Sequence, residues 1–173
     1  GIKNNVFGTK TICDAALSVG LKKVILISSD KAVRPTNIMG TSKRLAEMII
    51  QGYAKEIQDK SSKYKIKTKF AMVRFGNVLD SSGSVVPLFR KQILEGGPVT
   101  ITDPSVIRYF MTINEAAGLV LQTLKHAGNG NILFLDMGKP VKIYNIVRKI
   151  AETLGKKIRI INQNEKYIKN KNF

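Results

Sequence analysis

Hydrophobic positions along the chain switch repeatedly between a helical period and short continuous runs, so helices and buried strands alternate. In residues 4–19, Val6, Ile12, Cys13, Ala16 and Leu17 recur at helical spacing, and Gly20 stands where a left-handed C-terminal cap belongs. Residues 24–27 form a β-branched and leucine run between Lys23 and Ser28, the pattern of a central parallel strand buried on both faces. Pro35 bars helix just before it, and Asn37 can cap a long amphipathic helix that reaches about Ile57, with Leu45, Ile49, Tyr53 and Ile57 on one face. Residues 60–65 read as a surface loop, 69–75 as a second buried strand, and 76–84, rich in Gly, Ser, Asn and Asp, as the loop that follows it. A helix over 85–94 is ended by Gly96-Gly97-Pro98. A strand over 99–102, a helix over 114–124 and a strand over 132–135 come next. Ile143, Ile146, Val147, Ile150, Ala151 and Leu154 then lie on one helical face closed by Gly155.

This order implies an α/β fold with a doubly wound parallel sheet, whose ligands lie at the carboxyl ends of the strands. The loops after Ile27, after Phe75 and around Arg108 are therefore where chemistry is expected. We expect residues 1–80 to form a partial dinucleotide-binding and catalytic region. Residues 81–162 would form a substrate-binding region with elements returning to the first sheet, and 163–173 a polar tail. No G-x-G-x-x-G follows a first strand, so the usual pyrophosphate-binding turn is missing from these residues. Gly1 in the first position, opening directly on helical sequence, points to a piece of a longer chain.

Composition narrows the function classes. The chain has 173 residues, 43% of them hydrophobic and 24% charged, enough to build a core. A net charge of +17 favours anionic partners. The lysines, however, lie singly or in solvated runs, without an Arg-rich helix or paired stacking aromatics, so nucleic acid is not the expected partner. Cys13 is the single cysteine and falls on an apolar helix face, which fits a small buried hydrophobe and a reducing, cytoplasmic setting. With one cysteine and one histidine, His126, no metal centre is expected. The longest charge-free apolar stretch is about half of the ~20 residues that a membrane span needs.

The polar residues cluster in a few strings. Ser28-Ser29-Asp30-Lys31-Ala32-Val33-Arg34-Pro35-Thr36-Asn37-Ile38-Met39-Gly40-Thr41-Ser42-Lys43-Arg44 leads from the first strand into the long helix, with Met39 and Lys43 at i and i+4 on one face. It is followed by Val73-Arg74-Phe75-Gly76-Asn77-Val78-Leu79, Gly83-Ser84-Val85-Val86-Pro87, Gly96-Gly97-Pro98-Val99-Thr100 and Arg108-Tyr109-Phe110-Met111-Thr112. Together, in order and in register, these strings resemble the UDP-N-acetylglucosamine 4,6-dehydratase (polysaccharide biosynthesis) family of extended short-chain dehydrogenases, in its long, membrane-anchored subgroup. The resemblance runs from Asn4 to about Leu154. It implies a Rossmann-like sheet with a small substrate-binding subdomain. It also implies NAD as cofactor, a UDP-sugar as substrate, and a full-length parent anchored at the inner membrane with its catalytic domain on the cytoplasmic side. It leaves room for a homo-oligomer.

The reaction that the resemblance implies is an internal redox cycle. Hydride leaves sugar carbon 4 for NAD, water is lost across carbons 5 and 6, and the hydride returns to carbon 6. On the same ground Lys31 is assigned as the carbon 5 base, Asp30 as the acid for the leaving hydroxyl, and Ser29 as the orienting or relaying group at carbon 4. Met39 occupies the place of the tyrosine of shorter relatives. Lys43 would hold the cofactor ribose, with Ser28 and Arg74 also at the cofactor, while Asn77, Ser84 and Arg108 would bind the substrate, Arg108 by its bidentate fork. An epimerase or reductase of the same fold would call for tyrosine at position 39. A non-catalytic UDP-sugar-binding fragment and a nucleic-acid binder are the readings from other classes.

Overall fold

The computed structural model describes residues 1–59, 68–81 and 83–163. The loop expected at 60–65 and nearly all of the tail expected at 163–173 lie outside the described residues. In chain order the elements are α1 (Gly8–Ser18), β1 (Lys23–Ser29), α2 (Ile38–Gln58), β2 (Lys69–Phe75), β3 (Asn77–Val78), α3 (Val85–Leu94), β4 (Val99–Ile101), β5 (Ile107–Arg108), β6 (Phe110–Met111), α4 (Ile113–His126), β7 (Ile132–Phe134), β8 (Val141–Lys142), α5 (Ile143–Thr153) and β9 (Ile160–Asn162). A π-helical turn over Lys3–Phe7 precedes α1, and a 3-10 turn over Asp30–Ala32 follows β1. The chain divides into two units, residues 1–76 with 117–136, and residues 77–116 with 137–173.

In the first unit β1, β2 and β7 form a parallel sheet in that order, with Ile27 opposite Val73, Ser28 opposite Arg74, and Arg74 opposite Phe134. Phe70, Ala71, Met72 and Val73 are fully buried, which is why β2 reads as an unbroken apolar run. β1, expected to be buried on both faces, instead stands at the sheet edge among the described residues, and its Ile27 is 49% exposed. Cys13 and Leu17 of α1 and Ile50 and Ala54 of α2 close over Phe70 and Met72. The Cys13 thiol is pushed up to about 11, first by burial and then by the Asp14 charge. Burying these side chains, at ~1.5–3 kcal/mol for each large one, is what holds the helices to the sheet.

The face expected of the long helix is in part the one that packs, with Leu45 as the exception. The buried positions of the helix are Gly40, Ser42, Ala46, Glu47, Ile50 and Ala54, whereas Leu45 is 40% exposed. Ile49, Tyr53 and Ile57 are half-buried along the edge of the same cluster. Small residues win the inner face because they let the helix axis approach the sheet. Asn129 ties the layers together by accepting from the Phe70 N–H at 2.8 Å and donating to the Ala54 carbonyl at 2.8 Å. Lys23 caps the far end of α4 by donating to the carbonyls of Leu124 and Ala127.

The second unit packs α3 and α5 around β4 and β9, a parallel pair, with Phe89, Ile93, Val99, Ile101, Ile143, Val147 and Ala151 as its core. The expected apolar face of α5 is thus the buried one. The peptide bond between Gly97 and Pro98 is cis, and Gly96 and Gly97 both adopt left-handed conformations open to glycine. Two short pairings were not anticipated. β3 lies parallel to β6 inside what reads as loop, and β5 lies antiparallel to β8. Among the described residues no helix is long and apolar enough to cross a membrane.

Candidate active site

The site begins where β1 ends. Ser29 leaves the strand in extended conformation, and its Oγ accepts from the Lys31 N–H at 3.2 Å, so it caps the 3-10 turn that carries Asp30 and Lys31. The Ser29 hydroxyl donates to Asp30 Oδ1 at 2.9 Å, and Lys31 Nζ donates to the same oxygen at 3.0 Å. Three side chains of different proton affinity are thereby joined through one carboxylate oxygen. The Lys31 and Asp30 side chains keep 37% and 49% of their surface, so the cluster can be reached from solvent.

The long helix is brought against this turn by an absence of side chain. A Cβ at Gly40 would stand 2.4 Å from the Lys31 carbonyl oxygen and 3.1 Å from Pro35 Cβ, so only glycine lets α2 start there. Asn37 caps the helix by accepting from the Gly40 N–H at 2.9 Å. Between turn and helix Arg34 has φ 47°, a left-handed conformation unusual for a residue with a Cβ. Lys43, one turn into α2, points its Nζ toward the Ile27 carbonyl at 3.5 Å, the outer limit of a hydrogen bond. Met39 lies one turn before it, 45% exposed. Ser29, Asp30, Lys31 and Lys43 therefore gather at the carboxyl end of β1.

Ser28 and Arg74 have a different surrounding. Both are buried, and both point at Glu47, a carboxylate with no exposed surface. Its Oε1 accepts from Ser28 Oγ at 2.6 Å and Arg74 Nε at 2.6 Å, and its Oε2 from Arg74 Nη2 at 2.5 Å and Arg44 Nη1 at 3.1 Å. The Arg74 guanidinium also lies over the Phe134 ring at 5.2 Å. Burial alone would raise the Glu47 carboxyl, but hydrogen bonds from Arg74, Ser28 and Arg44 and the Arg74 charge hold it below the usual range. The hydrogen bond to Glu47 in turn raises Arg74 against the opposing effect of its own burial. The polar atoms expected at the cofactor thus face a carboxylate that sequence reasoning missed. The available signal was a glutamate one turn after Lys43, in the same stripe as Ile50 and Ala54.

The remaining expected residues belong to the second unit. Asn77 donates its N–H to the Tyr109 carbonyl at 3.1 Å and stands opposite Phe110 in the β3–β6 pair. The strings containing Asn77 and Arg108 are therefore neighbours in space. Both residues line a cleft of about 400 Å³ with Gln92, Thr100, Thr102 and Asp103. Arg108 is exposed and donates from Nη1 to the Ile107 carbonyl at 2.9 Å. The Asp103 carboxyl is held below its usual range by hydrogen bonds from the Ser105 hydroxyl and then its N–H, so the cleft carries both signs of charge. Thr112 and Glu115 form a reciprocal capping box on α4, which gives the end of the Arg108 string a structural purpose. Ser84, at the start of α3, is not in the cleft lining, and its buried Oγ has no hydrogen-bond partner among the described residues.

These observations can be set beside known proteins. The profile of the family described as "Polysaccharide biosynthesis protein" matches residues 1–171. The chain belongs to that family. The capsular polysaccharide biosynthesis protein CapD of Staphylococcus aureus is 51% identical to this polysaccharide biosynthesis family chain over 156 residues, which are 90% of this chain and 25% of CapD. The solved structure of Pen from Bacillus thuringiensis is 38% identical, with a TM-score of 0.81 over 92% of this chain and 48% of Pen. DesIV, a dTDP-glucose 4,6-dehydratase of Streptomyces venezuelae solved with NAD bound, shares the fold at a TM-score of 0.79 and 18% identity, over 93% of this chain and 54% of DesIV. The fold is thus the Rossmann fold of the nucleotide-sugar dehydratases and epimerases. The chain spans about a quarter of the length of CapD and about half that of the solved relatives.

Proposed function

We propose that this chain carries the catalytic turn of an NAD-dependent nucleotide-sugar 4,6-dehydratase, which converts a UDP-N-acetylhexosamine to its 4-keto-6-deoxy product for surface polysaccharide. The observation that carries the reading is the Ser29–Asp30–Lys31 cluster, hydrogen-bonded through Asp30 Oδ1 at the carboxyl end of a parallel strand. The half-buried Lys43 side chain makes a long contact to the Ile27 carbonyl among the described residues, and an ammonium carries three donors, so the residues present fit one edge of the dinucleotide through a ribose hydroxyl. NAD when bound would supply a hydride acceptor that gives the hydride back within the same turnover.

The side chains account for the protons. Ser29 would pass the proton of the carbon 4 hydroxyl to Asp30 Oδ1, to which its own hydroxyl donates at 2.9 Å, as the ketone forms. The ketone acidifies the proton at carbon 5, which the Lys31 amine would take while Asp30 gives a proton to the hydroxyl leaving carbon 6, so that water departs and a double bond forms between carbons 5 and 6. Lys31 then returns its proton to carbon 5 as hydride adds at carbon 6. Met39 has no ionisable proton, which removes the tyrosine-type relay that an epimerase or reductase of this fold would use. Arg108 and Asn77 would hold the diphosphate, with the start of α3, whose Val85 lines the same cleft, turned toward it.

The test is made on the full-length parent. Incubation with UDP-N-acetylglucosamine, followed by NMR, is expected to show a 4-keto-6-deoxy sugar nucleotide, and Lys31→Ala to reduce its formation by about 10²–10⁴-fold, the range of a lost general base. A rate untouched by Lys31→Ala removes this lysine from the mechanism.

A further inference from the structure

Glu47 takes no part in the proton transfers above, yet it joins α2 to the ends of β1 and β2. From α2 it reaches Ser28 at the end of β1 and Arg74 at the end of β2, residues that face each other across the sheet in register. Ser29, Asp30 and Lys31 are the next three residues after Ser28. Lys43 precedes Glu47 by one helical turn on the same face. A second contact, Gly40 against the Lys31 carbonyl, fixes the other side of the turn. Hydrophobic side chains of similar volume would hold a helix to a sheet at least as firmly as a buried ion pair does, but without its direction. Three hydrogen bonds from the two strands to one carboxylate, itself steadied by Arg44 of the same helix, set both the rotation of α2 and its position along the strands.

We propose that Glu47 is a positioning residue, which by clasping Ser28 and Arg74 holds the Ser29–Asp30–Lys31 turn and Lys43 in one arrangement at the end of β1. The effect on turnover rests on the dehydratase reading, whereas the effect on the turn does not. A reaction that needs a base, an acid and a ribose anchor in fixed relation loses about a hundredfold for a displacement near 1 Å.

The experiment compares the full-length protein with Glu47→Gln and Ser28→Ala, at a temperature where circular dichroism shows all three folded. Ser28→Ala keeps the Glu47–Arg74 pair and removes only the grip on β1, so it remains informative where Glu47→Gln folds poorly. Two quantities are read: kcat and KM for the UDP-sugar, and hydrogen exchange of the amides over residues 29–33. Glu47→Gln is expected to lower kcat about a hundredfold with KM nearly unchanged and to accelerate exchange in that segment, while residues 85–111 keep their protection. Ser28→Ala should move both quantities the same way by a smaller factor. Unchanged kcat and exchange in both variants overturn the proposal, as does a kcat loss that appears only in proportion to unfolded protein. A wild-type enzyme without dehydratase turnover sinks the functional reading instead, and the exchange rates then still decide the role of Glu47.

Discussion

At the scale of single residues, the ionisable group with the most consequence for stability is Glu47. Its carboxyl is depressed in the folded chain, so its contribution is complete above the unfolded value of about 4.3 and disappears as pH falls through the lower folded value. Arg74 keeps its charge throughout, so protonating Glu47 leaves a buried guanidinium without a counter-charge. Glu47→Gln imposes that condition at every pH and is expected to destabilise the full-length protein by about 3–5 kcal/mol near neutrality. The variant should also lose less stability than the wild type on acidification below pH about 4, since it has no carboxylate left to titrate there. Urea melts at stepped pH check this, and parallel acid limbs for the two proteins would contradict it. The Ser29–Lys31 cluster was legible in the sequence because its members are adjacent and follow a recognisable strand. Glu47 was not, because its partners lie 19 and 27 positions away and nothing local marks a helical glutamate as buried.

At the scale of elements, the long helix shows how backbone contact reverses an ordinary rule. Replacing a helical glycine by alanine usually stabilises by about 0.5–1 kcal/mol. At Gly52, where a Cβ would meet nothing within 4 Å, Gly52→Ala should do so. At Gly40 the added carbon would press on the Lys31 carbonyl at 2.4 Å, and backbone cannot turn aside as a side chain can. Gly40→Ala is therefore expected to cost about 1–3 kcal/mol and to disturb the Asp30–Lys31 turn as well. Thermal melts of the two variants in parallel test the pair of signs, and a stabilising Gly40→Ala would show that α2 does not press on that turn. Long periodic elements such as α2, β2, α3 and α5 were readable to within a few residues, since burial imposes a period on them. The two-residue pairs β3–β6 and β5–β8 have no period to read, and their partners are set by the tertiary fold. The inner face of α2 was partly misread for a related reason: alanine at 46 and 54 signals less strongly than the leucine at 45 that faces outward.

At the scale of the whole molecule, the charge of +17 decides between classes of partner by how steeply binding depends on salt. A protein that uses such a surface to grip nucleic acid through 6–10 phosphates loses about 10³–10⁵ in affinity between 50 and 200 mM salt. A sugar nucleotide offers one diphosphate. The same positive field would then act mainly by drawing the dianion in, an effect on the order of tenfold that fades as the Debye length shrinks from about 10 Å at 0.1 M to about 3 Å at 1 M. On the dehydratase reading, raising salt across that range should therefore increase KM for the UDP-sugar by roughly tenfold and leave kcat nearly constant, because the protons would move between neighbours already in direct hydrogen-bond contact. Steady-state kinetics of the full-length protein at stepped ionic strength measure both quantities. A collapse of kcat itself would place the salt-sensitive charges at the Ser29–Asp30–Lys31 cluster, and tight retention of duplex DNA with a steep salt slope would turn the reading toward a nucleic-acid partner.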